Sequence, residues 1–275
     1  MPLTHKARNI AVDELTKKLN LEAVLLRELR PLFNRINQDF RTLYATTGRV
    51  VNFSNYNADV TAMLRRHYTR TQKEFKNSVV QQNSFIRVNS KQNDFIDAGL
   101  LAWINDRLQQ SPQAIIATTD KDADQSIVQA QESLIADGED LTPRNIAITA
   151  AVFNRRKLLG RLTTISITET QGAAESTKLI EAEVLSGRTP FSLQDDPFAR
   201  TRPREEPIKE GDKQWITVND SLVRESHRNA DRQEVKLESP FVVGGYQLRH
   251  PGDTSLGAPA VEWMNCRCSA LLNIH

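Results

Sequence analysis

Leu25, Leu29, Leu32, Ile36, Phe40 and Leu43 recur at three- and four-residue steps, which places them on one face of a helix. Pro31 falls inside that stripe, and its missing N–H predicts a kink or a split near Arg30. Gly48 stands where a left-handed turn would end the helix. A second stripe runs through Val60, Leu64, His67 with Tyr68, Thr71, Phe75 and Val79. Neither helix can bury its stripe alone, so the two are predicted to pack as an antiparallel hairpin. A third helix is expected around Ala98–Leu108. Thr118 to Asp124 then reads as the cap and acidic first turn of a fourth, ending at Gly138. Thr142-Pro143 starts another helical run that reaches Gly187. Gly160 and the β-branched cluster Thr163–Thr168 predict that this run divides in two.

The pattern changes after Gly187. Residues 188–212 hold four prolines and few periodic apolar positions, the mark of a surface loop or insertion. Strand-like runs follow at Gln214–Val218, Glu234–Leu237, Phe241–Val243 and Tyr246–Leu248, with Gly244-Gly245 as a hairpin turn between the last two. The expected fold class is α+β: a mainly helical region over 1–150, then a segment over 151–275 that carries the Pro-rich stretch and a small β-containing module from about 213.

Composition adds exclusions. An apolar share of 39% and a charged share of 25% are those of a soluble globular protein. No window approaches the ~18 consecutive apolar residues of a membrane span, so no membrane partner is expected. The opening residues Met1 to Lys6 lack the apolar run of a secretory signal. Cys266 and Cys268 are the only cysteines, which excludes a disulfide-rich scaffold and suits a reducing compartment. The net charge of +2 conceals an asymmetry: residues 1–100 carry 16 Lys and Arg against 9 Asp and Glu, an excess of +7, whereas residues 101–150 carry 3 against 8, or −5. Residues 151–275 balance at 17 against 17. A basic N-terminal third is suited either to an anionic neighbour or to a solvated helical face. Asp120, Asp122 and Asp124 have the alternation of a calcium loop, but Gln125 and Gln131 stand where its glycine and glutamate belong, so helix capping is the expected role.

The residues with most chemical capacity lie in the C-terminal module: Asp220, Arg224, His227, Asp231, His250, Asp253, Asn265, Cys266, Arg267 and Cys268. Three readings are open. His227, His250, Cys266 and Cys268 total four zinc ligands, although C-x-C is tighter than the usual C-x(2–4)-C spacing. His227 with Asp231 or Asp220 can supply an acid/base, and either cysteine a nucleophile, but no nucleophile elbow or P-loop surrounds them. In the third, structural reading, which we favour, no cofactor is needed. A strand would put both thiols on one face with Cα atoms roughly 6.5 Å apart, near the limit for a disulfide. The cysteines then act as small hydrophobes, Arg267 turns outward or meets an acid, and Asp220, Arg224 and His227 tie loops together.

The same residues resemble the phage Mu F-like minor head protein family, the head morphogenesis proteins of tailed phages. The matching pieces are Trp215, Asp220, Arg224-Glu-Ser-His227, Asp231, Ser239 to Gly245, Pro251-Gly-Asp253, Gly257-Ala258 and the closing Asn265-Cys-Arg-Cys268. Arg161 and Ile165 to Thr170, including Glu169, resemble the segment that precedes them in that family. The likeness covers roughly 155–187 and 213–269. It departs where Arg232-Gln233 replaces a glycine-glutamine pair, and in the insertion at 188–212. The resemblance implies a non-enzymatic virion protein that associates with the portal in head assembly, DNA packaging or DNA ejection. It implies as partners the portal protein, major capsid or scaffolding protein, and double-stranded DNA bound without sequence preference. The implied location is the virion head at the portal vertex, and the host cytoplasm during assembly. Related phage proteins carry effector domains, so an enzyme or toxin-like activity using His227, Asp231 and Cys266 or Cys268 is the alternative, and it is expected to sit within the module itself.

Overall fold

In a computed structural model of the chain, which describes residues 5–49, 52–83, 85–195, 209–218 and 220–275, the first helix α1 (His5–Thr47) continues through Pro31 without a break. Arg27 and Pro31 are both exposed, so the carbonyl that loses its partner lies on the solvent side, where water can replace the bond. Leu25, Leu29, Leu32, Ile36 and Phe40 are buried, but the stripe ends on Tyr44, four residues past Phe40. Leu43 is exposed instead. Gly48 closes the helix at φ +64°, its N–H donating to the Tyr44 carbonyl at 2.8 Å.

Helix α2 (Asn57–Phe75) buries Val60, Leu64, His67, Tyr68, Thr71 and Phe75. Val79 belongs to a separate short helix, α3 (Ser78–Gln82), reached through Asn77 at φ +75°. Arg66 meets Glu28, and Arg35 meets Asp59, so numbering rises along α1 as it falls along α2. The two form the expected antiparallel hairpin.

Two divisions expected from sequence do not occur. Helix α4 (Ser90–Ala136) is continuous, and Thr118 to Asp124 lie in its interior rather than at a start. The Thr118 and Thr119 hydroxyls donate to the carbonyls of Ala114 and Ile115, one turn back, and cap nothing. Ile115, Ile116, Ala123, Ile127, Ala130 and Leu134 carry a buried face straight through the segment, and that packing overrides the local cap signal. Helix α5 (Pro143–Leu185) likewise runs through Gly160. Every residue from 165 to 186 is buried, so tertiary contacts on all sides hold the second part of the β-branched cluster, Ile165 to Thr168, in helix, while Thr163 and Thr164 are half-buried. Gly187 ends it at φ +78°.

The described chain forms two compact units, and neither is continuous in sequence: one combines 1–22, 67–106 and 167–275, the other 23–66 and 107–166. Helices α1, α2, α4 and α5 each contribute to both. A boundary at 150/151 falls inside α5. The second unit is helical. The first adds β1 (Gly211–Ile216), α6 (Glu225–Asn229), β2 (Glu234–Lys236), β3 (Phe241–Val243), β4 (Tyr246–Leu248), α7 (Ala260–Trp263) and β5 (Ser269–Ile274). The molecule is therefore α+β. β1 pairs antiparallel with β2 and β5, and β3 with β4 through Gly244 and Gly245, both at positive φ as a two-residue hairpin requires. β1 starts at Gly211, so the last two residues of the Pro-rich stretch are strand. At its other end, Leu193 is buried and Phe191 packs on the core. Residues 196–208 of that stretch lie outside the described residues.

The edge of β5 facing away from β1 is closed by side chains. The Cys268 carbonyl accepts from Lys18 and Gln171, and the Ala270 carbonyl from Lys178. The Ala270 N–H donates to Glu175 and the Leu272 N–H to Gln82. Asn83 takes both the Leu272 carbonyl and the Ile274 N–H. Helices α1, α3 and α5 thus complete a sheet edge that would otherwise be unpaired.

Candidate metal centre

Asn265 stands at φ +55°, which turns the chain out of α7 and into the segment leading to β5. Its N–H donates to Thr168 on α5 at 3.2 Å. From there the period of two puts the Cys266 and Cys268 thiols on one side and Arg267 on the other, where it pairs with Glu22 at 3.0 Å. Arg224, just before α6, donates to the Met264 carbonyl and fixes α6 against this turn. His227, on α6, is thereby carried to the two thiols.

His227 Nδ1 lies 3.4 Å from Cys268 Sγ and 3.7 Å from Cys266 Sγ, and the three ligand atoms all fall within 4.8 Å of one another. The other ring nitrogen, Nε2, is 2.9 Å from the Glu262 carbonyl on α7 and 3.4 Å from that residue's carboxylate. Trp215 packs edge-on to the imidazole at 5.4 Å and Phe241 packs on Trp215 at 5.3 Å, walling the group with apolar rings. The exposures of Cys266, Cys268 and His227 are 1%, 2% and 2%.

Burial pushes the Cys266 thiol up, but the Cys268 thiol and His227 more than reverse this and hold it well below its usual range. Its bond to Cys266, with burial, drives Cys268 well above. Burial lowers His227, and Cys266 outweighs that loss, so the ring holds its proton more tightly than a free histidine.

The other residues singled out from sequence lie elsewhere. His250, the fourth ligand of the zinc set, does not join the group: its ring nitrogens meet Ser176 Oγ and the Pro251 carbonyl, each at 3.0 Å. Asp231 accepts from the Thr217 N–H at 2.9 Å and hydroxyl at 3.0 Å. Asp220 accepts from the Leu222 N–H in a local turn. Asp253 accepts from the Arg249 and Ser255 N–H groups and the Ser255 hydroxyl; burial raises its carboxyl, but His250, together with these bonds, holds it below the usual carboxylate range. Glu169 accepts from the Tyr68 hydroxyl at 2.6 Å. The carboxylate beside His227 is therefore Glu262, which the sequence reading missed.

Sequence reading also missed a buried charge cluster. Lys18 reaches Glu175 at 2.6 Å, and Lys178 reaches Glu14 at 2.7 Å and Glu175 at 3.0 Å. Burial raises Glu175, yet the two lysines hold it at about 2. The signal was present in the three- and four-residue spacing of Gln171, Glu175 and Lys178, one polar face on α5.

No helix among the described residues is long and apolar enough to cross a membrane. No family model matches the chain, and neither a curated protein nor a solved structure matches it.

Proposed function

We propose that the chain is a minor head protein of a tailed phage, associated with the portal and acting in head assembly, DNA packaging or DNA delivery. The observation that carries this reading is that the pieces of the resemblance interlock. Trp215, His227, Cys266 and Cys268 form one buried group, Arg224 ties it to Met264, and Asn265 is bonded to Thr168, 97 positions earlier in the chain. Motifs that recur in family order and converge in space behave as one module. The burial of His227 and both cysteines, and the placement of Asp231 against Thr217, weigh against an effector activity that uses them.

In this reading the basic excess of the first 100 residues faces DNA phosphates without reading sequence. The portal protein is the principal partner, with major capsid or scaffolding protein beside it. Co-expression with the portal protein tests the reading: the chain is expected to co-purify with portal, and heads assembled without it should fail in packaging or delivery. A portal that assembles, packages and delivers normally without this chain would overturn it. DNA contact has its own test in a filter-retention series, where retention should fall steeply with salt. Salt-independent or absent binding removes DNA from the partners.

A further inference from the structure

We infer that His227, Cys266 and Cys268 bind one zinc ion, with His227 as an Nδ1 ligand and solvent in the fourth position. Three observations support this independently of the portal reading. The first is distance. Zinc bonds of about 2.3 Å to sulfur and about 2.0–2.1 Å to nitrogen at a tetrahedral angle put S and N roughly 3.5 Å apart. The two Nδ1–Sγ separations, 3.4 and 3.7 Å, bracket that value before any ion is added.

The second is orientation. A zinc-bound histidine ordinarily donates its remote N–H to a carbonyl or carboxylate, which fixes the tautomer and turns the free lone pair to the metal. His227 Nε2 is 2.9 Å from the Glu262 carbonyl, so Nδ1 is the nitrogen left for the ion. Ser226 Oγ holds the Glu262 carboxylate at 2.8 Å, and the Cys268 N–H donates back to Cys266 sulfur.

The third is charge. Two thiolates cancel a divalent ion, so the centre is neutral and can lie in a wall of Trp215 and Phe241 without an unpaired buried charge. Two sulfurs and an imidazole select zinc over magnesium or calcium, which take oxygen ligands. Among the described residues no other His, Cys, Asp or Glu joins the group, hence the fourth position for solvent. Binding balances as Zn²⁺ entering and two protons leaving, whether these start on two thiols or on one thiol and the imidazolium.

The test uses the full chain, reduced, stripped with a chelator and titrated with zinc chloride, then separately with cobalt chloride. Zinc should bind at about one per chain with release of about two protons. Cobalt should give thiolate-to-metal charge transfer together with the visible bands of a tetrahedral ion. The double variant Cys266→Ser/Cys268→Ser and His227→Asn should each lower bound zinc at least tenfold. Folded, reduced wild-type protein that holds less than about one zinc per four chains would overturn the proposal. So would cobalt bound without thiolate charge transfer, a result that needs no variant to fold.

Discussion

The Lys178 ammonium lies 2.7 Å from Glu14 and 3.0 Å from Glu175, and all three side chains are buried. With Lys18 at 2.6 Å from Glu175, two acids and two bases form a buried group of zero net charge. The group also bonds to β5, through the Ala270 carbonyl and N–H and the Cys268 carbonyl. Its desolvation is offset only while every member is present. Lys178→Met leaves Glu14 without its lysine and removes one of two from Glu175. The expected loss is about 3–5 kcal/mol in urea unfolding, since breaking a buried pair strands a charge. A change within about 0.5 kcal/mol would mean that water reaches the cluster.

Acid sensitivity should come from His67. Burial, reinforced by Arg70, lowers this ring from 6.5 to about 3. Below pH 6.5 the unfolded chain takes up a proton that the folded chain refuses, so stability present above that pH is lost as pH falls towards 3. Wild type should lose roughly 3–5 kcal/mol from this group across that window. His67→Gln can keep a bond to Thr170, the present partner at 2.9 Å, and should flatten the slope. Unfolding free energies at pH 7, 5.5 and 4 decide it, and parallel slopes for the two proteins would reject the assignment.

Glu183 acts with the opposite sign. Burial raises it from 4.5 to about 7 although it accepts the Phe191 N–H and faces Lys213, Arg249 and Arg188. The folded chain therefore holds a proton that the unfolded chain releases between pH 4.5 and 7, and the group's contribution is lost as pH rises through that window. Glu183→Gln, which keeps the acceptor oxygen, should match wild type near pH 4.5. At pH 8 it should exceed wild type by roughly 2–3 kcal/mol. Equal stability at both pH values would show that Glu183 is not held protonated.

Helices α1 and α2 were legible because their stripes are one-sided: Leu25 to Phe40 and Val60 to Phe75 each bury one face. The lengths of α4 and α5 were not. A helix wrapped on all sides, as α5 is from 167 to 186, has no solvent-facing side to set an apolar period, and its buried Ser, Thr, Gln, Glu and Lys blur the apolar stripe. The candidate site was half legible. The period of two correctly puts Cys266 and Cys268 on one side, but which histidine they meet depends on where α6 and the 249–253 turn dock, and sequence spacing does not encode that. The sequence offered His250 and His227 together as ligands, and the fold separates them, one against Ser176 and the other against Glu262. β5 was missed because Ser269 to Ile274 has no polar alternation: it is buried on both faces, and its polar complement is supplied by residues up to 250 positions away.

That complement leads to the last expectation. Asn83 donates to the Leu272 carbonyl at 2.9 Å and accepts the Ile274 N–H at 3.2 Å, so one amide satisfies two backbone groups on the outer edge of β5. Both groups are shielded from water, since Asn83, Leu272 and Ile274 are buried. Asn83→Ala removes the partner without opening the edge to solvent, and each stranded group costs about 1–3 kcal/mol. The expected destabilisation is therefore roughly 2–4 kcal/mol in urea. Asn83→Asp separates the two roles, because a carboxylate keeps the acceptor for Ile274 but loses the donor for Leu272. It should fall between wild type and Asn83→Ala, or below both if the buried charge dominates. An edge released in this way is also a template for strand pairing with another chain. Asn83→Ala should thus scatter light at concentrations where wild type remains clear, and the effect should grow with concentration. Stability within about 0.5 kcal/mol of wild type would mean that Gln82 and the rest of α3 close the edge without Asn83.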